Sequence, residues 1–151
     1  MARYHATITS RSPASETFDY LATFSNAAQW DPGVLAGEQV DPGPVGVGSR
    51  FRLVVPFLGR RLELTYLVIT HAPHREVVLA AASRLLRSTD RIVVTPASAG
   101  ATVSYDADVR LAGPLRLLDP LMRRGFRAVG DRATAGLASV LSAPWPPGEA
   151  R

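Results

Sequence analysis

Between about residues 35 and 111 the chain repeats one pattern six times: a run of strand-like residues with alternating inward and outward positions, then a short break. Phe51, Leu53, Val55 and Phe57 alternate with Arg50, Arg52, Val54 and Pro56. After a turn at Gly59 come Leu62, Leu64, Tyr66 and Val68; beyond Ala72-Pro73 come Val77, Leu79 and Ala81. Two more runs, about 85–95 and 101–111, flank the turn PASAG, and a short run near 35–41 precedes the loop DPGPVGVGS. A period of two is that of a strand with one covered face. Connections this short leave no room for crossover helices, so successive strands must pair antiparallel.

A sheet with one apolar face has to be covered, and the flanks of the chain supply the cover. Residues 3–9 alternate as a further strand, with Tyr4, Ala6 and Ile8 on one side. Ser12-Pro13 then reads as a cap and first-turn proline for a helix over about 13–24, with an apolar stripe of Phe18, Leu21 and Ala22. Ser25 reads as the cap of a second, short helix closed by Asp31-Pro32-Gly33. At the other end, Leu118, Leu121, Met122, Phe126, Val129, Ala133, Leu137, Val140 and Leu141 fall at helical spacing. A helix over roughly 115–141 is expected, with Asp119-Pro120 as an internal restart and Leu121, Met122, Phe126 and Val129 facing the sheet. Residues 2–141 then form one domain, and the tail 142–151, SAPWPPGEAR, is expected to be loose.

At 151 residues one domain is the expectation, long enough to fold without a staple. The chain has no cysteine, which excludes a disulfide scaffold, a thiol nucleophile and a cysteine metal site. All 17 basic residues other than histidine are arginine, scattered from Arg3 to Arg151. With 12 Gly and 12 Pro they match a GC-rich coding bias, so the net charge of +4 does not single out nucleic acid as a partner. Even the densest group, Arg123, Arg124 and Arg127, has Asp119 and Asp131 at helical spacing beside it. No apolar run is long enough to span a bilayer, and MARYHATIT lacks an apolar signal core. A cytoplasmic protein with no membrane span is the expectation.

The order strand, two helices, six strands and a long last helix resembles the START-like (SRPBCC) superfamily. Within it, the chain resembles the polyketide cyclase/dehydrase and lipid-transport family. Three patterns carry the likeness across residues 2–141: SPASETFDYLATFSNAAQWDPGV, GVGSRFRL and GPLRLLDPLMRRGFRAVGDRATAGL. The resemblance implies an α+β helix-grip fold, a curved seven-stranded antiparallel sheet wrapped around a long C-terminal helix. It also implies an apolar cavity between them for lipids, sterols, polyketides, quinones or similar molecules. It implies no single reaction, because members differ in their catalytic residues.

The candidate lining is Trp30, Phe51, Leu53, Leu64, Tyr66, Leu79, Asp90, Ile92, Tyr105, Leu121, Met122 and Phe126. Taken singly, the aliphatic members read first as ordinary core and Trp30 as a plug in a helix–sheet seam; taken together they outline a pocket. Asp90 shares a face with Ser88, Ile92 and Val94, which points it inward, where a carboxylate is costly unless paired or neutralised. A register slip would instead turn it outward to pair with Arg87 or Arg91. Tyr66 and Tyr105 offer an apolar ring with a hydrogen-bonding tip. Asp90 with these phenols is the candidate catalytic set.

His5, His71 and His74 form no recognisable metal motif, and no GxSxG elbow occurs. GVGSRF leads into a strand, which suits a turn or cavity lid better than a phosphate loop. No cofactor is expected. Binding of a small hydrophobic ligand is the leading expectation, a cyclase or dehydratase the alternative, and a regulator that binds a partner protein the third.

Overall fold

The computed structural model describes residues 2–143. The chain runs β1 (Ala2–Ser10), α1 (Ala14–Ala22), a 3-10 turn (Phe24–Asn26), α2 (Ala27–Trp30) and β2 (Ala36–Gln39). It continues through β3 (Arg50–Phe57), β4 (Arg60–Ala72), β5 (Glu76–Ala82), β6 (Leu86–Ala97) and β7 (Gly100–Leu111). A second 3-10 turn (Gly113–Leu118) leads into the 24-residue α3 (Asp119–Ser142). All seven strands form one antiparallel sheet in the order β1-β7-β6-β5-β4-β3-β2. The α+β helix-grip architecture expected from the sequence is present. None of the helices of the described residues is long and apolar enough to cross a membrane.

Local chemistry sets the turns. Leu58 and Gly59 both take positive φ between β3 and β4, the backbone sense that matches the twist of a tight hairpin. Between β5 and β6 the Ser83 hydroxyl accepts from the amides of Leu85 and Leu86. A bulge near Ile69 shifts the register of β4 against β5. His71 lies within β4, which continues past the bulge to Ala72.

Several expected caps are replaced. Ser12 does not cap α1: its amide donates to the Ser10 hydroxyl, while the Thr17 hydroxyl contacts Ser10 at 2.8 Å and donates to the Ser12 carbonyl. This buried cluster fixes the entry to the helix. Ser25 lies inside the 3-10 turn, where its position is helical already. Leu118 stands at the cap of α3, and the Asp119 carboxylate accepts instead from the Leu111 amide. Asp131 accepts from the Tyr4 hydroxyl at 2.7 Å, so it ties α3 to β1. Of the tail 142–151, Ser142 ends α3 and residues 144–151 lie outside the described residues.

The inner face is covered in two zones. α1 packs on β6 and β7, and the 3-10 turn at Phe24 lies over β2 and β3. Phe18, Phe51, Val77, Leu79, Ile92, Val94 and Val103 are fully buried. α3 packs mainly on β1 and α2, with Leu137 and Leu141 buried and Met122 and Phe126 half-buried. Leu121 is 68% exposed, contrary to expectation. The inward stripe of α3 is Met122, Phe126, Gly130, Ala133, Leu137 and Leu141, and Leu121 precedes its first member by one residue, about 100° around the helix. Val129, at 40% exposure, sits on the flank of that stripe.

Gly136 decides how closely α3 approaches. A Cβ there would meet the backbone carbonyl of Trp30 at 1.9 Å, whereas a Cβ at Gly125 would meet nothing within 4 Å. Alanine is favoured over glycine inside a helix by about 1 kcal/mol. At Gly125 that preference acts alone, so Gly125→Ala should raise Tm. At Gly136 the clash is with backbone, which cannot rotate away, and overpacking of about 1–3 kcal/mol outweighs propensity. Gly136→Ala should therefore lower Tm by roughly 2–6 °C. Thermal denaturation of both variants checks this order, and a stabilised Gly136→Ala would contradict the close approach.

Candidate functional site

The register of the sheet assembles a polar cluster on its otherwise apolar inner face. Tyr66 on β4 stands opposite Ala81 on β5, and Ala81 opposite Ser88 on β6. Because Ala81 presents only a methyl group, the Tyr66 hydroxyl reaches over it and donates to the Ser88 hydroxyl at 3.1 Å. The Ser88 hydroxyl in turn donates to Oδ1 of Asp90 at 3.1 Å. Tyr105, opposite Ile92 and diagonal to Asp90, donates a short hydrogen bond to Oδ2. Two phenols and a serine thus converge on one buried carboxylate. Asp90 is inward, and the outward pairing with arginine is overturned: Arg91 pairs with Glu76 on the other face.

These groups border an apolar cavity of about 120 Å³ between the sheet, α2 and α3. Phe24, Ala27, Trp30, Val34, Leu53 and Val55 form one wall, Ala107 and Val109 another, and Phe126, Val129, Gly130 and Ala133 the α3 side. Ring pairs stiffen it: Trp30 meets Tyr105 edge-on at 5.8 Å, and Phe24 meets Tyr66 at 5.0 Å. Asp31 also borders the cavity, and its Oδ1 accepts from the Gly33 amide at 2.8 Å. A wider groove between β1 and α3, lined by Arg3, His5, Arg123, Arg127 and Asp131, is open to water and has no such desolvated cluster.

Burial controls the protonation of the cluster. It pushes the Asp90 carboxyl up to about 6, against the hydrogen bonds from Tyr105 and Ser88, with a further upward push from Asp31. Asp31 is also raised by burial, partly offset by the Gly33 amide and the charge of Arg132. The Tyr66 and Tyr105 phenols are raised, first by burial and then by the Asp90 charge. Both therefore remain neutral donors at physiological pH. Asp90 is the one member of the relay able to change charge near neutrality.

Of the residues singled out in sequence, the fold brings Trp30, Leu53, Tyr66, Asp90, Tyr105 and Phe126 to the cavity. Phe51, Leu64, Leu79 and Ile92 lie on the inner face but are sealed into solid core where other side chains close over them. Leu121 points to solvent, and half-buried Met122 does not border the cavity. The loop before β3 does not border it either, so GVGSRF is not a lid over this cavity. Asp31 and Ser88 were missed as site residues. Ser88 was within reach of the pattern, two positions before Asp90 on the same face; Asp31 was read only as a helix terminator. His71 and His74 set their rings edge-on against Phe18, and His5 contacts Asp106.

The sequence matches the family model described as polyketide cyclase / dehydrase and lipid transport over residues 1–142. No curated protein matches it. Among solved structures, a START superfamily protein from Mycobacterium smegmatis superposes with a TM-score of 0.75 at 14% identity, covering 93% of this chain and 97% of that one. The Zhui aromatase/cyclase from Streptomyces sp. R1128 gives 0.64 at 18% identity, covering 91% and 88%. The di-domain ARO/CYC BexL from the BE-7585A biosynthetic pathway gives 0.64 at 18% identity, covering 95% of this chain and 48% of that one. At these identities the structural likeness establishes the fold alone.

The raised Asp90 carboxyl has a consequence for stability. Its folded pKa, about 6, lies above the unfolded reference of 3.8, so ionisation disfavours the fold. The stabilising contribution of the protonated form is complete below pH 4 and is lost as pH rises through 6. Asparagine at this position cannot ionise. Asp90→Asn should gain on the wild type by on the order of 2–3 kcal/mol between pH 4 and pH 7.5. Parallel denaturant unfolding of the two proteins checks this, and a stability difference that does not vary with pH would contradict the buried ionisation.

Proposed function

The chain belongs to the polyketide cyclase / dehydrase and lipid transport family, and from that premise we propose that it binds a small hydrophobic ligand in this cavity through the ligand's polar end. One observation carries the reading. The Asp90 carboxylate, held by Ser88 and Tyr105, borders a cavity that is otherwise mostly apolar. An apolar pocket with a few convergent polar groups is the usual form of a small-molecule site. The apolar walls supply affinity and the carboxylate supplies orientation.

Volume limits the ligand. Cavities near 150 Å³ hold about one benzene ring, while drug-sized ligands occupy roughly 300–1,000 Å³. At about 120 Å³ the cavity suits a single ring or a short branched chain. A sterol or a multi-ring polyketide requires the N-terminal half of α3 to move outward. That half is the less deeply seated one, since Leu137 and Leu141 are buried while Met122 and Phe126 are half-exposed.

A second reading, a cyclase or dehydratase acting on a polyketide-like substrate, is favoured by the position of Asp90 in a proton relay with a pKa of about 6. A group with that pKa serves as a general base just above it. In an aldol-type closure Asp90 would take the proton from the carbon beside a carbonyl, and a phenol would donate to the developing oxyanion. Turnover would then have an acid limb near pH 6.

For the binding reading, p-cresol and toluene are matched probes, because both fit one ring and only the first donates a hydrogen bond. p-Cresol should bind at least about fivefold more tightly than toluene, the ratio expected of one net hydrogen bond. Ala133→Phe, filling the cavity from α3, should weaken both by more than about tenfold without lowering Tm. Chemical-shift titration measures each affinity. Unchanged p-cresol binding in Ala133→Phe would move the ligand site elsewhere.

A further inference from the structure

We infer that the cavity selects an organic cation, an apolar body of about one ring carrying a protonated amine that sits between Asp90 and Asp31 and against the surrounding aromatic rings. This deepens the ligand-binding reading above and rests on it.

The first support is the charge of the lining. Among the described residues bordering the cavity there are two carboxylates, Asp31 and Asp90, and no arginine or histidine. Arg132 acts on Asp31 but does not border the cavity, and it does not reverse the effect of burial. Ionised carboxylates shielded from water call for compensating charge. The hydroxyls of Ser88 and Tyr105 engage one lone pair on each Asp90 oxygen. A carboxylate has about four acceptor positions, so two remain for an incoming donor. An ammonium group supplies both the donors and the charge.

The second support is the aromatic wall. Phe24, Trp30, Tyr66 and Tyr105 all border the cavity, arranged as two edge-to-face pairs. Aromatic rings attract cations through their faces, most strongly when water is excluded. Carboxylates and an aromatic enclosure thus favour the same ligand charge. A fatty acid is disfavoured by the same count, because its carboxylate would meet two like charges in a medium that screens poorly.

The groups that titrate around Asp90 are Tyr66 from β4, Tyr105 from β7 and Asp31 after α2. The phenols stay neutral, so between pH 5 and pH 7.5 the site gains negative charge through Asp90, whose carboxyl is pushed up to about 6. Amine binding should accordingly strengthen from pH 5 to pH 7.5.

The test uses three ligands of one shape with the full chain at pH 7.5: 2-phenylethylamine, 2-phenylethanol and 3-phenylpropanoate. The amine should bind at least about tenfold more tightly than the alcohol, and the carboxylate most weakly. In Asp90→Asn the amine should lose about tenfold or more while the alcohol stays within about threefold, which shows that the variant keeps its cavity. An alcohol that equals or exceeds the amine in the wild type overturns the inference. So does an amine preference that survives in both Asp90→Asn and Asp31→Asn. If p-cresol binds while the amine does not, this inference alone fails; if p-cresol fails too, the ligand-binding reading falls with it.

Discussion

The backbone of α3 rests against the carbonyl of Trp30 at Gly136, where a single methyl group would not fit. That contact sets how closely the long helix approaches α2, and most other features follow from it. With the helix fixed at this end, Leu137 and Leu141 sink into the core, and Arg11 donates from its amide to the Leu141 carbonyl at 3.1 Å. Toward the other end the inward residues are Ala133, Gly130 and Phe126, two of them too small to reach the sheet. Tyr4 partly fills the gap, and its ring is where a Cβ on Gly130 would strike. What remains open is the cavity. Close packing at one end of a rigid helix and small residues in its middle leave a void that no single side chain can fill.

The void is worth its cost only if something occupies it, and the polar cluster on its floor points the same way. Replacing Asp90 by an apolar residue would satisfy the sheet at least as well, since a buried carboxylate with a raised pKa opposes folding near neutral pH. Tyr66, Ser88 and Tyr105 reduce that opposition without removing it. Stability given up at a cavity-facing group is the pattern of a binding or catalytic site. The same cluster explains why the neighbouring core is unbroken: Leu79 and Ile92, adjacent to Asp90 in the register, are fully buried and keep water off its rear.

The sheet was legible because strand alternation is local. Each run from Phe51 to Leu111 carries its own evidence of which residues face inward, and Asp90 could be placed inward from Ser88, Ile92 and Val94 alone. Which inward residues meet a cavity is not local. Leu79 and Asp90 are direct cross-strand partners, yet one is sealed and the other borders open space. That difference depends on where α1, the turn at Phe24 and α3 come to rest, and strand periodicity carries no information about it. The error at Leu121 has a simpler origin. An apolar stripe read as a broad band includes residues one step too far around the helix, and only packing defines its edge. Asp31 was hidden by a second role, since an aspartate before Pro-Gly is sufficient to explain a helix stop.

For the ligand proposed above, charge and volume are more restrictive than fold. The helix-grip frame fits carriers and enzymes alike, and its apolar wall would accept almost any small hydrophobic body. Two carboxylates, six aromatic rings and, among the described residues, no basic lining residue distinguish the lining more sharply than its apolar area does. Apolar contact contributes in proportion to area and discriminates little between molecules of one size. A desolvated charge discriminates steeply, because a ligand of the wrong sign gains nothing from the walls that offsets its repulsion. On the proposed reading, selectivity resides in β6 and in the residue that follows α2, where Asp90 and Asp31 stand, while the curvature of the sheet provides only the space in which they act.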